Sequence, residues 1–143
     1  MGELMVSMGI FTILLAIAVP GFVAQQPTRQ LSGAARLVLA ELMSARAKAV
    51  EENNQYVVSF PTSTGILILD DNNNDGTADA GESTRSRSLE DDYPGVTISK
   101  NGGDPDPIFS PRGTAAGATT ITVANSSGSR TVTVGLTGVV KIN

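Results

Sequence analysis

The stretch from Leu4 to Ala24 contains no charged residue, and this constrains the chain more than any other feature. At about 1.5 Å of rise per residue, a helix of this length can cross the roughly 30 Å apolar core of a bilayer. No basic segment precedes the run and no small-x-small cleavage site follows it, so the run does not match a cleaved secretory signal. We therefore predict a hydrophobic, membrane-spanning helix over residues 1–27.

The next segment, residues 28–54, carries apolar residues at helical spacing. Six of them recur at intervals of four, three, four, three and four residues, namely Leu31, Ala35, Val38, Leu42, Ala45 and Ala49. This pattern is typical of one face of an amphipathic helix. The alanines of this stripe permit close approach of a sheet or of another helix, and Asn53–Asn54 is the predicted stop.

Residues 55–143 have the composition of a β-rich head. Short β-branched or apolar runs are separated by Gly, Pro, Asn and Asp, and the last third alternates Thr with Val or Ile, as in a half-buried antiparallel sheet. We predict strands at Tyr56–Phe60, Gly65–Leu69, Arg85–Leu89, Val96–Ser99, Thr119–Val123, Ser129–Val134 and Val139–Ile142. The predicted fold class is α+β, in which a long N-terminal helix, first hydrophobic and then amphipathic, packs on a small antiparallel head of one or two sheets.

The residue types that are missing argue against an enzyme. The chain has no Cys and no His, so the usual nucleophile-and-base triads cannot form. The candidate acid pairs, Asp91–Asp92 and Asp104/Asp106, lie in turn-like stretches, where solvated carboxylates are commoner than catalytic ones. From Glu51 onward six basic residues stand against twelve acidic ones, and this balance argues against non-specific nucleic-acid binding.

A polar loop after the second predicted strand matches the twelve-position calcium loop of an EF-hand in its spacing. The candidate ligands are Asp71, Asn73, Asp75, the carbonyl of Thr77, Asp79 and Glu82. Calcium prefers six to eight oxygen ligands, and Gly76 permits a sharp turn that brings alternate positions together. Two interpretations stay open, a structural calcium ion that fixes the loop or a solvated turn, since Asn, Asp and Gly favour turns without a metal.

Several of these motifs together resemble the type IV pilins and pseudopilins, most closely the H-type minor pseudopilin of type II secretion and the FimT-type minor pilins. The resemblance rests on Glu3-Leu4-Met5-Val6, Ala16-Ile17-Ala18-Val19-Pro20, the loop from Asp71 to Glu82, Phe109-Ser110-Pro111-Arg112-Gly113, and Gly138. The family has four residues between a cleaved glycine and its glutamate. Here Gly2 directly precedes Glu3, so we assign no peptidase site to Gly2. Either the chain is shortened or re-started relative to the family, or it is not processed in the usual way.

The resemblance implies a structural and assembly subunit of a type IV pilus or of a type II secretion pseudopilus, which polymerises through its N-terminal helix. It implies a single-pass protein of the bacterial inner membrane with its head in the periplasm. The implied partners are other pilin or pseudopilin subunits and the inner-membrane assembly machinery. Glu3 matches the glutamate that is thought to pair with a neighbour's terminal amine, and a buried carboxylate does need a compensating charge. The predicted assembly residues are Glu3, Pro20 and the stripe Leu31, Ala35, Val38, Leu42, Ala45 and Ala49.

Two alternatives remain open on the sequence. Some FimT-type minor pilins act in DNA uptake, so the first is a DNA-capturing minor pilin of a competence pilus. That resemblance suggests a basic residue just after the C-terminal glycine, whereas here Gly138 is followed by Val139. The second alternative is a membrane-anchored calcium-binding domain outside any filament. A simple anchor should tolerate Glu3→Ala, whereas a filament subunit should lose assembly.

Overall fold

A single helix forms the spine of the molecule. The structure, a computed structural model, describes residues 2–143 apart from the side chains of residues 15–24. Helix α1 spans Gly2–Glu51, so the two helical segments expected from sequence are continuous. The helix ends because Asn53 adopts a left-handed conformation, with φ of 53°, and the Asn54 N–H donates to the Ala49 carbonyl at 3.1 Å. Asparagine in this conformation is a common helix terminator, so the predicted stop is confirmed.

In the described part of the chain, eight strands follow α1 and form two antiparallel sheets. Their bounds are β1 Gln55–Ser59, β2 Gly65–Asp71, β3 Thr84–Ser88, β4 Thr97–Lys100, β5 Ile108–Phe109, β6 Thr119–Asn125, β7 Gly128–Val134 and β8 Val140–Ile142. The first sheet has the order β3-β2-β1-β5 and the second the order β4-β6-β7-β8. The predicted α+β class is confirmed, and the head contains two sheets rather than one.

The core of the head lies between α1 and both sheets. The helix contributes the predicted stripe, Leu31, Ala35, Val38, Leu42, Ala45 and Ala49, of which Leu31 is 5% exposed and the others 0%. The first sheet contributes Val58 and Phe109, and the second contributes Ile121, Val132 and Val134. Full burial of a Val, Leu or Ile side chain is worth roughly 1.5–3 kcal/mol relative to exposure. The second half of α1 therefore folds as part of the head.

Two head loops meet the C-terminal part of α1 at very close range. Arg46 Nε donates to the Gly113 carbonyl at 2.8 Å. Gly138, in the turn between β7 and β8, has a φ of 74°, and a Cβ at this position would lie 1.9 Å from the Gly113 carbonyl oxygen. Glycine is required at 138 both for this backbone conformation and for the close approach.

The opposite end of the head contacts α1 near the middle of the helix. At the tip of the β6–β7 hairpin, Asn125 Nδ2 donates to the Pro27 carbonyl at 2.7 Å. Before this contact, the described side chains from Glu3 to Leu14 are all exposed. The head is thus held along α1 from about Pro27 to the end of the helix, and the described side chains of residues 2–14 are left without cover from the head.

Candidate functional site

The N-terminal half of α1 presents an apolar surface. Eight large side chains there are between 56% and 79% exposed, namely Leu4, Met5, Val6, Met8, Ile10, Phe11, Ile13 and Leu14. Within residues 2–14 the hydroxyls are satisfied by the helix itself, because Ser7 donates to the Glu3 carbonyl and Thr12 donates to the Met8 carbonyl at 2.7 Å. Soluble monomers rarely expose contiguous apolar patches of this kind. This surface therefore indicates contact with lipid or with other chains.

Glu3 lies in the first turn of α1, where a carboxylate interacts favourably with the helix dipole. It is exposed beside a shallow groove formed by Gly2, Val6, Ser7 and Ile10. Pairing of Glu3 with a neighbour's amine stays a prediction, and the side chain of Pro20 lies outside the described residues. Over the residues that the structure describes, no helical segment is both long and apolar enough to span a membrane.

The six stripe residues predicted to serve assembly lie inside the head. Leu31, Ala35, Val38, Leu42, Ala45 and Ala49 pack against the chain's own sheets, so the sheet takes this face rather than another helix. A neighbouring subunit cannot contact these side chains in this conformation. Their role in assembly stays a prediction, and it would act through the placement of the head.

A second helical face, which sequence reasoning missed, points outward. Ala40, Met43, Ala47 and Val50 are exposed, with Met43 at 53% and Val50 at 52%. They recur at the same three- and four-residue spacing as the buried stripe. Spacing alone identifies both faces, and only docking of the sheets shows which face is left open. This outward stripe extends the apolar surface of α1 alongside the head.

The acids considered as catalytic pairs hold loops in place. Asp92 pairs with Arg87 at 2.5 Å, and Asp106 pairs with Lys100 at 2.5 Å. Asp104 accepts the backbone N–H of Thr120 at 2.9 Å. These contacts give each of the three carboxylates a structural role.

The candidate calcium loop is organised around a buried carboxylate. Strand β2 continues to Asp71, so the loop begins two residues later than the sequence suggested. Asp71 is fully buried, and its carboxylate accepts the N–H of Asp75 at 3.2 Å, the N–H of Gly76 at 2.9 Å and Gln55 Nε2 at 3.0 Å. Gly76 has a φ of 77°, which confirms the predicted sharp turn.

The other end of the loop closes through Glu82. Its Oε1 accepts the N–H of Asn72 at 2.9 Å and its Oε2 accepts the N–H of Asp79 at 3.0 Å. Asn73 Nδ2 donates to both Asp75 and Asp79 at 3.0 Å. Among the described residues, no group of three or more acidic side chains is placed to hold a metal ion. The predicted ligands thus share one loop but bind N–H groups, and calcium binding stays a prediction.

Hydrogen bonds within this loop also lower the pKa of Asp75. The Thr77 hydroxyl donates to Asp75 Oδ1 at 2.6 Å, and the Thr77 N–H donates to the same oxygen at 2.8 Å. Because both donors favour the ionised form, they hold the pKa of Asp75 below its usual value. The loop conformation is therefore coupled to ionisation of an exposed carboxylate.

A known protein family and solved structures share this architecture. Residues 34–138 match the family model described as type II transport protein GspH. The fold is similar to that of the type IV minor pilin FimU of Pseudomonas aeruginosa, with a TM-score of 0.62 and 17% identity over 81% of this chain and 90% of that one. It is also similar to that of the minor pseudopilin EpsH of the Vibrio cholerae type 2 secretion system, with a TM-score of 0.60 and 13% identity over 80% and 96% of the two chains. No curated protein sequence matches the chain.

Proposed function

The chain belongs to the GspH family of type II transport proteins, and on this premise we propose that it is a minor pilin or pseudopilin that enters a filament through α1. The observation that carries the proposal is the division of this helix into two halves. Its second half is buried on the head, whereas the described part of its first half is apolar and exposed. A surface of this kind needs a partner in either environment, lipid before assembly and other subunits afterwards.

The uncharged run supports placement of the chain in a membrane. Leu4 to Ala24 is long enough as a helix to cross a bilayer core. Glu3 is the acidic residue at the edge of this run, and an ionisable group at such a position needs a partner of opposite charge. In this proposal the chain is a single-pass protein of the bacterial inner membrane with a periplasmic head, and Glu3 meets the terminal amine of a neighbouring subunit.

The outward stripe supplies a second contact in the proposal. Ala40 and Ala47 are small enough for a neighbouring helix to approach closely, and Met43 is a flexible side chain that adapts to its partner. This face continues the apolar surface along the head. Lateral contact between neighbouring subunits would thus extend from the N-terminal half of α1 to the part of the helix that lies beside the sheets.

The proposal is tested in a strain that lacks the gene. The mass of pili sheared from the cell surface and the amount of released exoprotein are measured in the deletion strain and after restoring the wild-type gene or its Glu3→Ala variant. We expect one of the two quantities to fall and to recover with wild type but not with Glu3→Ala. Loss of pili assigns the protein to a type IV pilus, and loss of exoprotein assigns it to type II secretion. Normal values of both in the deletion strain would overturn the proposal.

A further inference from the structure

Acidic and basic residues are segregated along the chain. Thirteen of the 14 acidic residues lie between Glu41 and Asp106, and the remaining one is Glu3. Apart from Glu3, the charged side chains of α1 up to Ala40 and of the chain from Pro107 onward, which contains β5 to β8, are therefore all basic. The basic residues of these two parts are Arg29, Arg36, Arg112, Arg130 and Lys141. The net charge of −4 therefore conceals two stretches of the chain in which basic residues predominate.

The fold brings two of these residues into one cleft. Strand alternation places Arg130 on the same face of β7 as the buried Val132 and Val134, and this face is turned toward α1. Arg36 lies one helical turn after Ser32 on the adjoining side of α1. The cleft, about 240 Å³ in volume, is lined by Ser32, Ala35, Arg36, Arg130 and Ile142, none of which is acidic.

Neither arginine is neutralised within the described structure. Arg36 and Arg130 are both exposed, and the ion pairs among the described residues involve other side chains. Two guanidinium groups in one cleft repel each other unless an anion lies between them. Arginine also presents a planar fork of donors that matches the oxygens of a phosphate or carboxylate. The cleft therefore has the chemistry of an oxyanion site.

The position of the cleft selects the source of that anion. It lies at the end of the head where Asn125 contacts Pro27, which is the end nearest the uncharged run. Arg29 is five residues beyond Ala24, so at about 1.5 Å per residue it lies roughly 7–8 Å further along the axis, within the headgroup layer of a bilayer. Arg36 lies on the same helix side as Arg29 but 12 residues beyond Ala24, roughly 18 Å along the axis. Contact with the headgroups therefore requires its side chain to lean toward the N-terminus, here toward the membrane, and α1 to tilt, as membrane helices do by about 20° on average.

We propose that the cleft between Arg36 and Arg130 docks the head on the phosphate of an anionic phospholipid headgroup at the membrane surface. This inference rests on the proposed function, because it takes the run from Leu4 to Ala24 as inserted in the bilayer. Each basic side chain near an anionic surface strengthens association about fivefold. The contact holds the head against the membrane and is broken when the subunit leaves for the filament.

The experiment uses the full chain reconstituted into vesicles. Because the sequence has no cysteine, Ser126→Cys at the exposed tip of the β6–β7 hairpin gives a single site for a fluorescent label. Quenching by headgroup spin-labelled lipid is measured in phosphatidylcholine vesicles with and without phosphatidylglycerol. We expect stronger quenching with phosphatidylglycerol, and weaker quenching as salt is raised.

Charge variants then locate the contact. We expect Arg36→Gln and Arg130→Gln each to weaken the phosphatidylglycerol-dependent association about fivefold. The matched control is Arg112→Gln, which removes the same charge from an exposed position beside Gly113, near the C-terminal part of α1. It should leave the quenching unchanged.

Three outcomes would overturn the proposal. The first is equal quenching in the two vesicle types, or equal quenching by wild type and the Arg36→Gln/Arg130→Gln variant, while the chain still floats with the vesicles. This result leaves the proposed function intact. The second is failure of the chain to float with either vesicle type, which would show that the run from Leu4 to Ala24 does not insert in a bilayer and would overturn the proposed function as well. Release of the labelled head by a short DNA duplex, with no effect of inorganic phosphate at the same charge concentration, would reassign the cleft to nucleic acid.

Discussion

Glu41 on α1 and Arg85 on β3 form an ion pair although 44 residues separate them in sequence. The Glu41 side chain is 10% exposed, whereas the Arg85 side chain is 53% exposed. Strand β3 is the edge of the first sheet, and four of its five residues are exposed. The pair therefore fixes an edge strand with little core of its own onto the helix.

Removal of Arg85 should destabilise the fold more than removal of its neighbour on the same strand. Arg85→Ala leaves the nearly buried Glu41 carboxylate without its partner, and we expect a loss of about 1–3 kcal/mol in the free energy of unfolding. The control Arg87→Ala breaks a pair with Asp92 in which both side chains are more than 40% exposed, and should cost about 0–1 kcal/mol. Urea unfolding of the full chain in detergent micelles measures both, and equal losses would contradict the structural role of Glu41–Arg85.

Substitution of two adjacent helix residues should affect the stability of the fold in one case and assembly in the other. Leu42 is 0% exposed and Met43 is 53% exposed. We expect Leu42→Ala to lower the free energy of unfolding by about 2–5 kcal/mol because it leaves a cavity under the sheets. Met43→Ala should change it by no more than about 0.5 kcal/mol. If the outward stripe contacts a neighbour, Met43→Ala reduces filament mass in sheared fractions while the protein level stays normal; unchanged filament mass would argue against that contact.

Gly138 should tolerate no side chain. Gly138→Ala places a Cβ 1.9 Å from the Gly113 carbonyl oxygen, so we expect a loss of more than about 3 kcal/mol, or failure to fold. Gly95→Ala is the matched control, since Gly95 has a φ of 77° but nothing lies within 4 Å of its added Cβ. Gly95→Ala should lower the free energy of unfolding by only about 1–2 kcal/mol, because the left-handed backbone conformation is then the sole source of strain. Similar thermal midpoints for the two variants would show that backbone conformation, rather than the close approach, requires glycine at 138.

The hydrogen bonds to Asp75 should appear in the pH dependence of stability. Because the pKa of Asp75 is lower in the folded chain than in the unfolded one, its contribution is present above the unfolded value of about 3.9 and is lost as pH falls through the folded pKa. Thr77→Val removes the hydroxyl donor and keeps the N–H, so we expect the pKa of Asp75 to rise toward its ordinary value. Carboxyl NMR titration measures this rise. Thr137→Val, in the β7–β8 turn, should leave the pKa of Asp75 unchanged.

Calcium binding by the loop from Asp71 to Glu82 is testable by stability. The spacing of the ligands predicts that calcium raises the thermal midpoint of the full chain relative to chelator, since a ligand that binds the folded state stabilises it by mass action. Glu82→Gln should abolish the rise because it removes the predicted bidentate ligand. Asp91→Asn, an exposed acid outside the loop, should retain it. Identical midpoints with calcium and with chelator would leave the hydrogen-bonded turn as the correct interpretation.

Much of the fold is local and was therefore accessible from sequence. The helix stop at Asn53, the alternation of Val132 and Val134 with polar residues and the turn at Gly76 each depend on a few neighbouring residues. Strand β5 was missed because a two-residue strand carries no periodic signal. It exists through its pairing with Tyr56 and Val57, which are distant in sequence.

By itself, the sequence determined the helix, seven of the eight described strands, the uncharged run and the ligand spacing of the polar loop, because hydrophobic period and turn chemistry act over short range. The tertiary structure decided which face of α1 is buried, since the stripes containing Leu42 and Met43 have the same spacing. It also decided that Arg36 and Arg130 share a cleft and that Glu41 meets Arg85. Such contacts join residues tens of positions apart, and packing of the two sheets on one helix is what brings them together.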